Sequence, residues 1–371
     1  MARIVMADGA EAWLATRYDD VKAVLGDARF SACPRNAGYP FIALSRKAQL
    51  LNDRPTFPFM DSAEHAKYRR MLTKFFTVPR IEQRRQRIEQ LAETLLDRLI
   101  EAGPPQDFVK GFALPIPSTV LAELLGVPHE DQAFFQQQAK ARMDMRSGTE
   151  VQIRAGRALE DYIGQLVARK EKDPSGDDVL SRLVVEQLQP GHVSREDLIA
   201  MGRLLIVAGH DTTANMIAAG IILLLQHPDQ MRELIADPAL LPGAIEEMLR
   251  FWTLPHFNST RVAMQDVLVG DTLVKAGEGV VALLIAGNHD PRAFPSPEKF
   301  DIHRNPRNHL AFAYGPHQCL GQFLGRLELE VALKTLLRRL PGIRLAEPVS
   351  ELEFTEAGIN YGVERLPIAW S

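Results

Sequence analysis

The segment Phe312–Gly321, Phe-Ala-Tyr-Gly-Pro-His-Gln-Cys-Leu-Gly, contains the residues best suited to carry out chemistry. Its cysteine, Cys319, lies just before a stretch with helical periodicity, where a helix dipole and free backbone N–H groups favour a thiolate. Gly315 and Gly321 let the backbone bend tightly and let a flat ligand approach closely. A thiolate presented in this way suits the axial coordination of a haem iron. An inert buried cysteine ahead of a helix is the simpler alternative for the cysteine taken by itself.

A second candidate is the segment Ala208–Thr213, which places Gly, His, Asp and two Thr within an otherwise apolar helical stretch. A glycine, an acid and hydroxyls cost stability in a buried helix, so a functional role is expected. The alternative is a packing defect, or a bend in which a threonine hydroxyl bonds back to a main-chain carbonyl.

The segment Phe312–Gly321 resembles the haem-binding loop of the cytochrome P-450 family, Phe-Gly-x-Gly-x-His-x-Cys-x-Gly. Ala313 stands where that pattern has glycine, and a small residue is expected to fit there. The resemblance implies a haem b whose iron is bound by the thiolate of Cys319. It also implies the family's fold, which is mainly α with small β-sheets around a buried haem. Further residues that it places against the haem are Phe312, Gly321 and Ala208.

Basic residues early in the chain could bind the haem carboxylates. His65 and Arg69 are four residues apart, so they share one helix face and are suited to gripping a carboxylate. The resemblance assigns both to the haem propionates, with Arg261 and His317 as further contacts. Each alone is more often a surface residue, but together they follow the family's order along the chain.

The sequence also contains a Glu-x-x-Arg motif, Glu247-Met248-Leu249-Arg250. Its acid and base share one helix face and can form a charge-assisted bond. A surface ion pair is the simpler interpretation of the motif alone. The resemblance implies a structural role in which Arg304 joins the pair and fixes the chain beneath the haem.

The resemblance further implies that Asp211 and Thr212 are the acid and alcohol that deliver protons to bound dioxygen. We expect Thr212 to hydrogen-bond the dioxygen while Asp211 relays protons from solvent. The expected substrate is hydrophobic, such as a terpenoid, fatty acid, steroid or polyketide, although core packing explains each apolar position equally well. The expected pocket residues are Phe59, Met143, Met145, Val207, Phe257 and Ile359.

Electrons are expected from a separate protein, because the chain has no flavin or dinucleotide fingerprint. The stretch around His65 is basic and, in the family, faces an acidic ferredoxin or flavodoxin that is served by its own reductase. A solvated helix face is the default interpretation of such a run. The bases concerned are Lys67, Arg69, Arg70, Lys74, Arg80, Arg84 and Arg85.

The leading hypothesis is therefore a haem-thiolate monooxygenase that inserts one oxygen atom of dioxygen into an organic substrate. A nitric-oxide reductase that takes electrons directly from NADH is an alternative, since 112–128 and 205–215 look similar to the fungal enzyme of that kind. The carboxylate at Asp211, which that branch lacks, favours monooxygenation. A non-catalytic haem-binding protein is a third hypothesis, in which the acid–alcohol pair would be unnecessary.

Composition narrows the class of protein further. The chain has 371 residues, with 43 Lys+Arg against 47 Asp+Glu, and the net charge of -4 argues against nucleic-acid binding. Two cysteines exclude a disulfide scaffold and favour a reducing compartment. The most apolar stretch, Leu198–Leu225, contains Arg203, His210 and Asp211, which a membrane-spanning helix rarely carries. We therefore expect a cytoplasmic protein without a membrane segment.

The elements that must position these residues are mostly helical, and we expect one domain over 1–371 with a small N-terminal β-rich lobe. The chain starts almost at its first strand, without the leading helix usual in the family. A hairpin is predicted over 3–16, and proline and glycine predict an irregular region over 30–59. A Ser194/Asp197 cap predicts a helix that could run to Gln226. Further helices are predicted over 19–25, 61–76, 80–101, 118–125, 131–145, 150–172, 177–187, 229–236, 241–252 and 321–340, and short strands over 267–284 and in the tail.

Overall fold

The computed structural model describes residues 1–144, 146–209, 211–255, 259–355 and 360–371. Helices dominate, as the periodicity predicts. The α-helices are α1 (Tyr18–Gly26), α2 (Leu44–Asn52), α3 (Ser62–Thr73), α4 (Val78–Glu82), α5 (Arg85–Ala102), α6 (Pro115–Leu125), α7 (Gln132–Met143), α8 (Thr149–Lys172), α9 (Val179–Leu183), α10 (Arg195–Gly209), α11 (Asp211–Gln226), α12 (Pro228–Ala236), α13 (Leu241–Trp252), α14 (Leu284–Asn288) and α15 (Gln322–Arg339). Two π-helical turns, Val109–Ala113 and Val184–Leu188, precede α6 and follow α9.

Strands make up a small part of the described chain. They are β1 (Ala2–Val5), β2 (Glu11–Ala15), β3 (Phe30–Ser31), β4 (Gln106–Asp107), β5 (Thr260–Ala263), β6 (Val267–Val269), β7 (Thr272–Val274), β8 (Gly279–Ala282), β9 (Arg344–Leu345) and β10 (Pro367–Ala369). They form sheets in the orders β1-β2-β8-β5-β3, β4-β10-β9 and β6-β7. Because β2 pairs in parallel with β8, the N-terminal hairpin belongs to one sheet with a segment some 260 residues later.

The described residues form four apolar clusters, of which the two larger ones hold most of these elements together. The larger one lies among the helices and buries apolar side chains of α5, α6, α8, α11, α13 and α15. The smaller one packs α1 against the five-stranded sheet, through residues such as Val21, Val24 and Val280. The organisation of 1–371 as one domain stays a prediction.

The predicted Ser194/Asp197 cap at the start of α10 is confirmed. The Ser194 backbone N–H donates to Asp197 Oδ2 at 3.0 Å, and the Asp197 N–H donates to Ser194 Oγ at 3.1 Å. This reciprocal pair satisfies two donors that a helix start otherwise leaves free. Asp197 also accepts from Arg54 Nε at 2.7 Å, which ties the start of α10 to the chain before α3.

The prediction of an irregular region over 30–59 is partly wrong, because the described chain forms α2 there. Pro40 and Pro55 flank a proline-free stretch long enough for a nine-residue helix. The segment Arg195–Gln226 is long and apolar enough to cross a membrane by length and composition, but 71 % of its apolar window is buried within the structure. The cytoplasmic location stays a prediction.

Candidate functional site

The cysteine loop is a tightly bent connection that leads into α15. The Cys319 backbone N–H donates to the Phe312 carbonyl at 2.9 Å, and Gly315–His317 form a 3₁₀ turn between them. Gly315 has a φ of +73°, and a Cβ at this position would lie 2.7 Å from the Leu25 carbonyl oxygen. Only glycine fits this approach to α1.

Cys319 keeps exposed surface on this loop, and its thiol lies deep enough in the protein for desolvation to act on it. Burial raises the pKa of the thiol, while the Gly321 backbone N–H and the positive charges of Arg69 and Arg326 act in the opposite direction. The stabilisation of the thiolate that was expected from the helix start is therefore present, but in the protein chain alone burial has the larger effect on the pKa. A Cβ built on Gly321 meets no described atom within 4 Å, which suits the close approach of a flat group.

Four basic side chains meet beside this loop. The rings of His65 and His317 lie 4.1 Å apart between centroids, and Arg69 comes from the same face of α3 as His65. Arg261, on β5, is 6 % exposed, and its Nη1 donates to the Thr260 carbonyl at 2.8 Å. Burial lowers the pKa of His317 to about 3, with Arg261, His65 and Arg69 adding to the effect, and burial also lowers the pKa of His65.

This basic cluster has buried donors without partners. Among the described residues, His65 Nε2, Arg69 Nη1 and His317 Nδ1 are buried and make no hydrogen bond. A buried polar group left unpaired costs about 1–3 kcal/mol, and more when it is charged. The residues therefore fit a group that brings anionic oxygens to this place, as the carboxylates of a haem would.

The segment Ala208–Thr213, called the distal segment below, combines an acid with a threonine that bonds back to the main chain. Thr212 Oγ1 donates to the Ala208 carbonyl at 3.0 Å, so the alternative of a threonine that bonds back to the helix is also met. Asp211 Oδ2 accepts from Asn360 Nδ2 at 3.2 Å, and Asn215 Nδ2 donates to the Asp211 carbonyl at 3.0 Å. Asp211 lines a cavity of about 390 Å³ together with Lys140 and Glu364. Ala208 is exposed although most of α10 is buried, so the helix presents an open face there.

The Glu-x-x-Arg pair is fully buried, unlike the surface ion pair of the simpler interpretation. Arg250 donates to Glu247 through Nε at 2.7 Å and Nη2 at 2.8 Å, and both side chains are 0 % exposed. Arg304 Nε donates to Glu247 Oε1 at 3.1 Å, as does the backbone N–H of Asp301. The remaining donors of the two arginines bind main-chain carbonyls at Asn288, Pro295, Ser296, Pro297 and Lys299.

The expected pocket residues are only partly placed. Phe59, Met143 and Val207 are half-buried. Met143 lines the same cavity as Asp211. Phe59 lies beneath the guanidinium of Arg46, whose Cζ atom is 5.5 Å from the centroid of the Phe59 ring. Met145, Phe257 and Ile359 lie outside the described residues.

Comparison with known proteins gives the family. The family model for cytochrome P450 matches residues 134–341. "Cytochrome P450-SU2" from Streptomyces griseolus is 45 % identical over 370 residues, which cover 100 % of this chain and 90 % of that protein. This chain belongs to the cytochrome P450 family. Membership implies a haem with a cysteine thiolate ligand.

Other relatives of this cytochrome P450 carry names that state a reaction. "Pentalenic acid synthase" from Streptomyces avermitilis is 41 % identical over 370 residues, covering 100 % of this chain and 91 % of that protein. A crystal structure of the mycinamicin VIII C21 methyl hydroxylase MycCI from Micromonospora griseorubida superposes with a TM-score of 0.93 at 35 % identity, covering 100 % of this chain and 93 % of that one. The predictions of the family, of its mainly α fold and of an oxygen-incorporating P450 oxidoreductase are confirmed.

This cytochrome P450 departs from the loop pattern at one strained position. Ala313 has a φ of +59°, the left-handed conformation that the usual glycine adopts freely. An alanine there costs about 1–2 kcal/mol. The loop retains its Phe312–Cys319 hydrogen bond despite this cost.

Sequence reasoning missed one titratable residue of this P450 near the distal segment. Glu328, on α15, is 2 % exposed, and burial raises its pKa to about 8, while a hydrogen bond with Thr213 lowers it. Its carboxyl is therefore largely protonated at neutral pH, and its partner Thr213 is the residue that follows Thr212. The signal in the sequence was an acid on the apolar face of α15, between Leu327 and Leu329.

Proposed function

We propose that this cytochrome P450 inserts one oxygen atom of dioxygen into a largely apolar organic substrate, with electrons from a separate ferredoxin or flavodoxin. The observation that carries the proposal is the acid–alcohol pair at the start of α11, with Asp211 held by Asn360 at the wall of a cavity. Such a pair supplies protons to oxygen, which neither an electron-transfer protein nor a carrier requires.

In the proposed site, the thiolate of Cys319 would hold a haem b, and the basic cluster would bind its propionates. His65 and Arg69 from α3, Arg261 from β5 and His317 supply buried donors that anionic oxygens satisfy. Phe312, Gly321 and Ala208 would border the haem. A thiolate-bound haem supplies the cleavage of the O–O bond.

The chain's own residues handle the protons. The hydroxyl hydrogen of Thr212 donates to the Ala208 carbonyl, so the Thr212 oxygen keeps lone pairs with which it can accept a hydrogen bond. Asp211 Oδ2 is held by Asn360 beside the cavity, where the carboxylate can take up a proton from solvent and pass it inward.

Replacing Thr212 by Ala is expected to uncouple electron use from product. The variant keeps the helix but loses the hydroxyl, so the yield of oxygenated product per reduced nicotinamide consumed falls by about tenfold or more and peroxide rises. Product, peroxide and nicotinamide consumption are measured in one reconstituted assay. Thr94→Ala is the matched control, because Thr94 Oγ1 also bonds back to a helical carbonyl, at 2.8 Å, on α5. Unchanged coupling in Thr212→Ala contradicts the assignment.

The basic face is smaller than the sequence suggests. Lys74 pairs with Glu186, Arg85 pairs with Glu82 and Glu330, and the Nη1 atom of Arg69 is buried. Among the described residues, Lys67, Arg70 and Arg80 are exposed and form no ion pair. Lys67 and Arg70 line one shallow groove beside Met71. We propose that this groove meets the acidic electron donor.

The double variant Lys67→Gln/Arg70→Gln is expected to raise the KM for an acidic ferredoxin about tenfold at low salt, because opposite charges steer the encounter. Substrate binding to the ferric protein stays unchanged. The measurement is the KM for ferredoxin in steady-state turnover at several salt concentrations. The difference in KM between the variant and wild type is expected to narrow as the salt concentration rises. Lys172→Gln, an exposed base at the end of α8, is the control. Equal KM values for the double variant and the control place the docking surface elsewhere.

The function as a whole is tested by optical titration of the purified ferric protein with a library of hydrophobic metabolites. A saturable change of the haem from low to high spin, followed by formation of a mono-oxygenated product with a ferredoxin system, supports the proposal. A normal haem-thiolate spectrum without a hit, together with NADH-driven consumption of nitric oxide, supports the reductase instead. A haem-containing protein that shows no turnover with any electron donor supports the non-catalytic hypothesis.

A further inference from the structure

Arg326, on α15, lies against the cysteine loop. Its guanidinium covers the ring of Phe312, with the Cζ atom 4.4 Å from the ring centroid. The carbonyl of Phe312 in turn accepts from the Cys319 backbone N–H at 2.9 Å. One residue of the loop therefore connects a permanent positive charge to the backbone of the expected haem ligand.

The donors of Arg326 are fixed by side chains outside the loop. Its Nε and Nη2 atoms donate to the two carboxylate oxygens of Glu246, on α13, at 2.6 and 2.9 Å. Its Nη1 atom donates to Gln322 Oε1 at 3.2 Å. A bidentate pair of this kind lies in the plane of the guanidinium, which leaves the face of the guanidinium free to cover the Phe312 ring. The positive charge is thus held at one position beside the loop.

Buried His309 fixes the other side of Glu246. It is 8 % exposed, its Nε2 atom lies 3.0 Å from Glu246 Oε2, and its Nδ1 atom accepts from the Ala311 backbone N–H at 3.1 Å. Because Nδ1 accepts, the ring is neutral and carries its proton on Nε2, which donates to Glu246. Burial acts to raise the pKa of Glu246, but hydrogen bonds with Arg326 and His309 lower it to about 2. At neutral pH the cluster therefore contains one negative and one positive charge.

The two charges act on the thiolate site with opposite signs. A nearby positive charge draws electron density from a thiolate and stabilises the reduced, more negative state of a bound iron, whereas a nearby negative charge does the reverse. The side chain of Arg326 is 27 % exposed and that of Glu246 is 13 % exposed. Screening by water and salt is therefore incomplete, and the charges can be felt at the loop.

We propose that Arg326, Glu246 and His309 form a positioning group that sets the reduction potential of the thiolate-bound haem, with Arg326 raising the potential and Glu246 moderating that effect. The inference rests on the proposed function, since it concerns electron uptake at the same site. Glu246 thereby has a role separate from that of its neighbour Glu247, whose carboxylate fixes the irregular chain before the loop.

The test is the reduction potential of the substrate-free holoenzyme, measured by spectroelectrochemical titration between the ferric and ferrous forms. Arg326→Gln is expected to shift this equilibrium about three- to tenfold towards the ferric form, where tenfold corresponds to about 59 mV for one electron. Glu246→Gln is expected to shift it by a similar factor towards the ferrous form. Arg326→Lys keeps the charge, and its potential is expected to remain close to that of wild type.

A second readout reports the electron donation of the thiolate directly. The C–O stretching frequency of the ferrous carbon-monoxide complex is recorded by infrared spectroscopy, since a more strongly donating thiolate passes more electron density to the CO and weakens its bond. Arg326→Gln is expected to lower this frequency and Glu246→Gln to raise it. A loop that is merely loosened admits water in both variants and shifts both in the same direction.

Arg338→Gln and Glu93→Gln are the matched controls, because these two side chains form an ion pair that joins the end of α15 to α5. Each control removes the same charge as its counterpart at the loop. Arg338 lies about 18 Å further along α15 than Arg326, beyond the screening length at physiological salt. Both controls are therefore expected to keep the potential and the CO frequency of wild type.

The outcomes separate the two claims. If the potential of Arg326→Gln equals that of Arg338→Gln, or if Arg326→Gln and Glu246→Gln shift it in the same direction, the positioning role is wrong although the haem site stands. If Arg326→Gln does not retain haem, Glu246→Gln decides, and an unchanged potential in that variant overturns the proposal. If the shifts occur as expected but wild type oxygenates no substrate, the monooxygenase function alone fails.

Discussion

Replacing Glu247 by Gln is expected to lower the free energy of unfolding by about 3–5 kcal/mol, the cost of leaving a buried charge without its partner. Glutamine has nearly the same shape but no charge, and it cannot accept from Arg250 and Arg304 as the carboxylate does. Arg250 is 0 % exposed, so water cannot replace the carboxylate as its hydrogen-bond acceptor. The protein is also expected to retain less haem, because the chain held by the two arginines leads into the cysteine loop.

The measurement is urea unfolding followed by circular dichroism and by haem absorbance, since a cofactor-binding protein of this size need not unfold in one step. Glu233→Gln is the control, because Glu233 pairs with His303 at the surface and its loss is expected to cost less than about 1 kcal/mol. A loss for Glu247→Gln no larger than that of the control contradicts the structural role of the motif.

Replacing Cys319 by Ser is expected to abolish turnover and the thiolate signature of the reduced carbon-monoxide complex. A serine hydroxyl remains protonated at neutral pH and is a poor iron ligand, whereas a thiol ionises far more readily. The substitution is small, and the Cys319 backbone N–H keeps its bond to the Phe312 carbonyl. The fold is therefore expected to survive.

Cys33→Ser is the matched control, since Cys33 is the other cysteine and is half-buried far from Cys319 in sequence. The control is expected to keep the spectrum, the haem content and the activity of wild type. A thiolate signature that persists in Cys319→Ser and disappears in Cys33→Ser would move the ligand to Cys33.

Much of the site was predictable because its residues lie within short segments. The Cys319 loop, the 65/69 pair and the Glu247/Arg250 pair each require a fixed local spacing, and helix or turn geometry converts that spacing into one shared face. The long helices were predictable for the same reason. The roles of these residues towards a haem stay predictions, because they came from the family resemblance.

The parts that were not predictable depend on distant contacts. Asp53 meets arginines 89 and 150 residues away, and no spacing rule signals such a meeting. The helix α2, which contains Arg46, was not predicted because prolines flank its segment. Glu328 was hidden because one acid on an apolar helix face looks like an ordinary exception until its burial is measured.

The irregular chain between α14 and the cysteine loop is held mainly through its own backbone. Arg250 and Arg304 bind carbonyl oxygens there, and every residue type carries a carbonyl. The side chains at these positions are therefore free to drift during evolution, provided that the path of the backbone is kept. Two arginines and one glutamate can in this way preserve a long irregular segment whose own sequence records almost nothing of its shape.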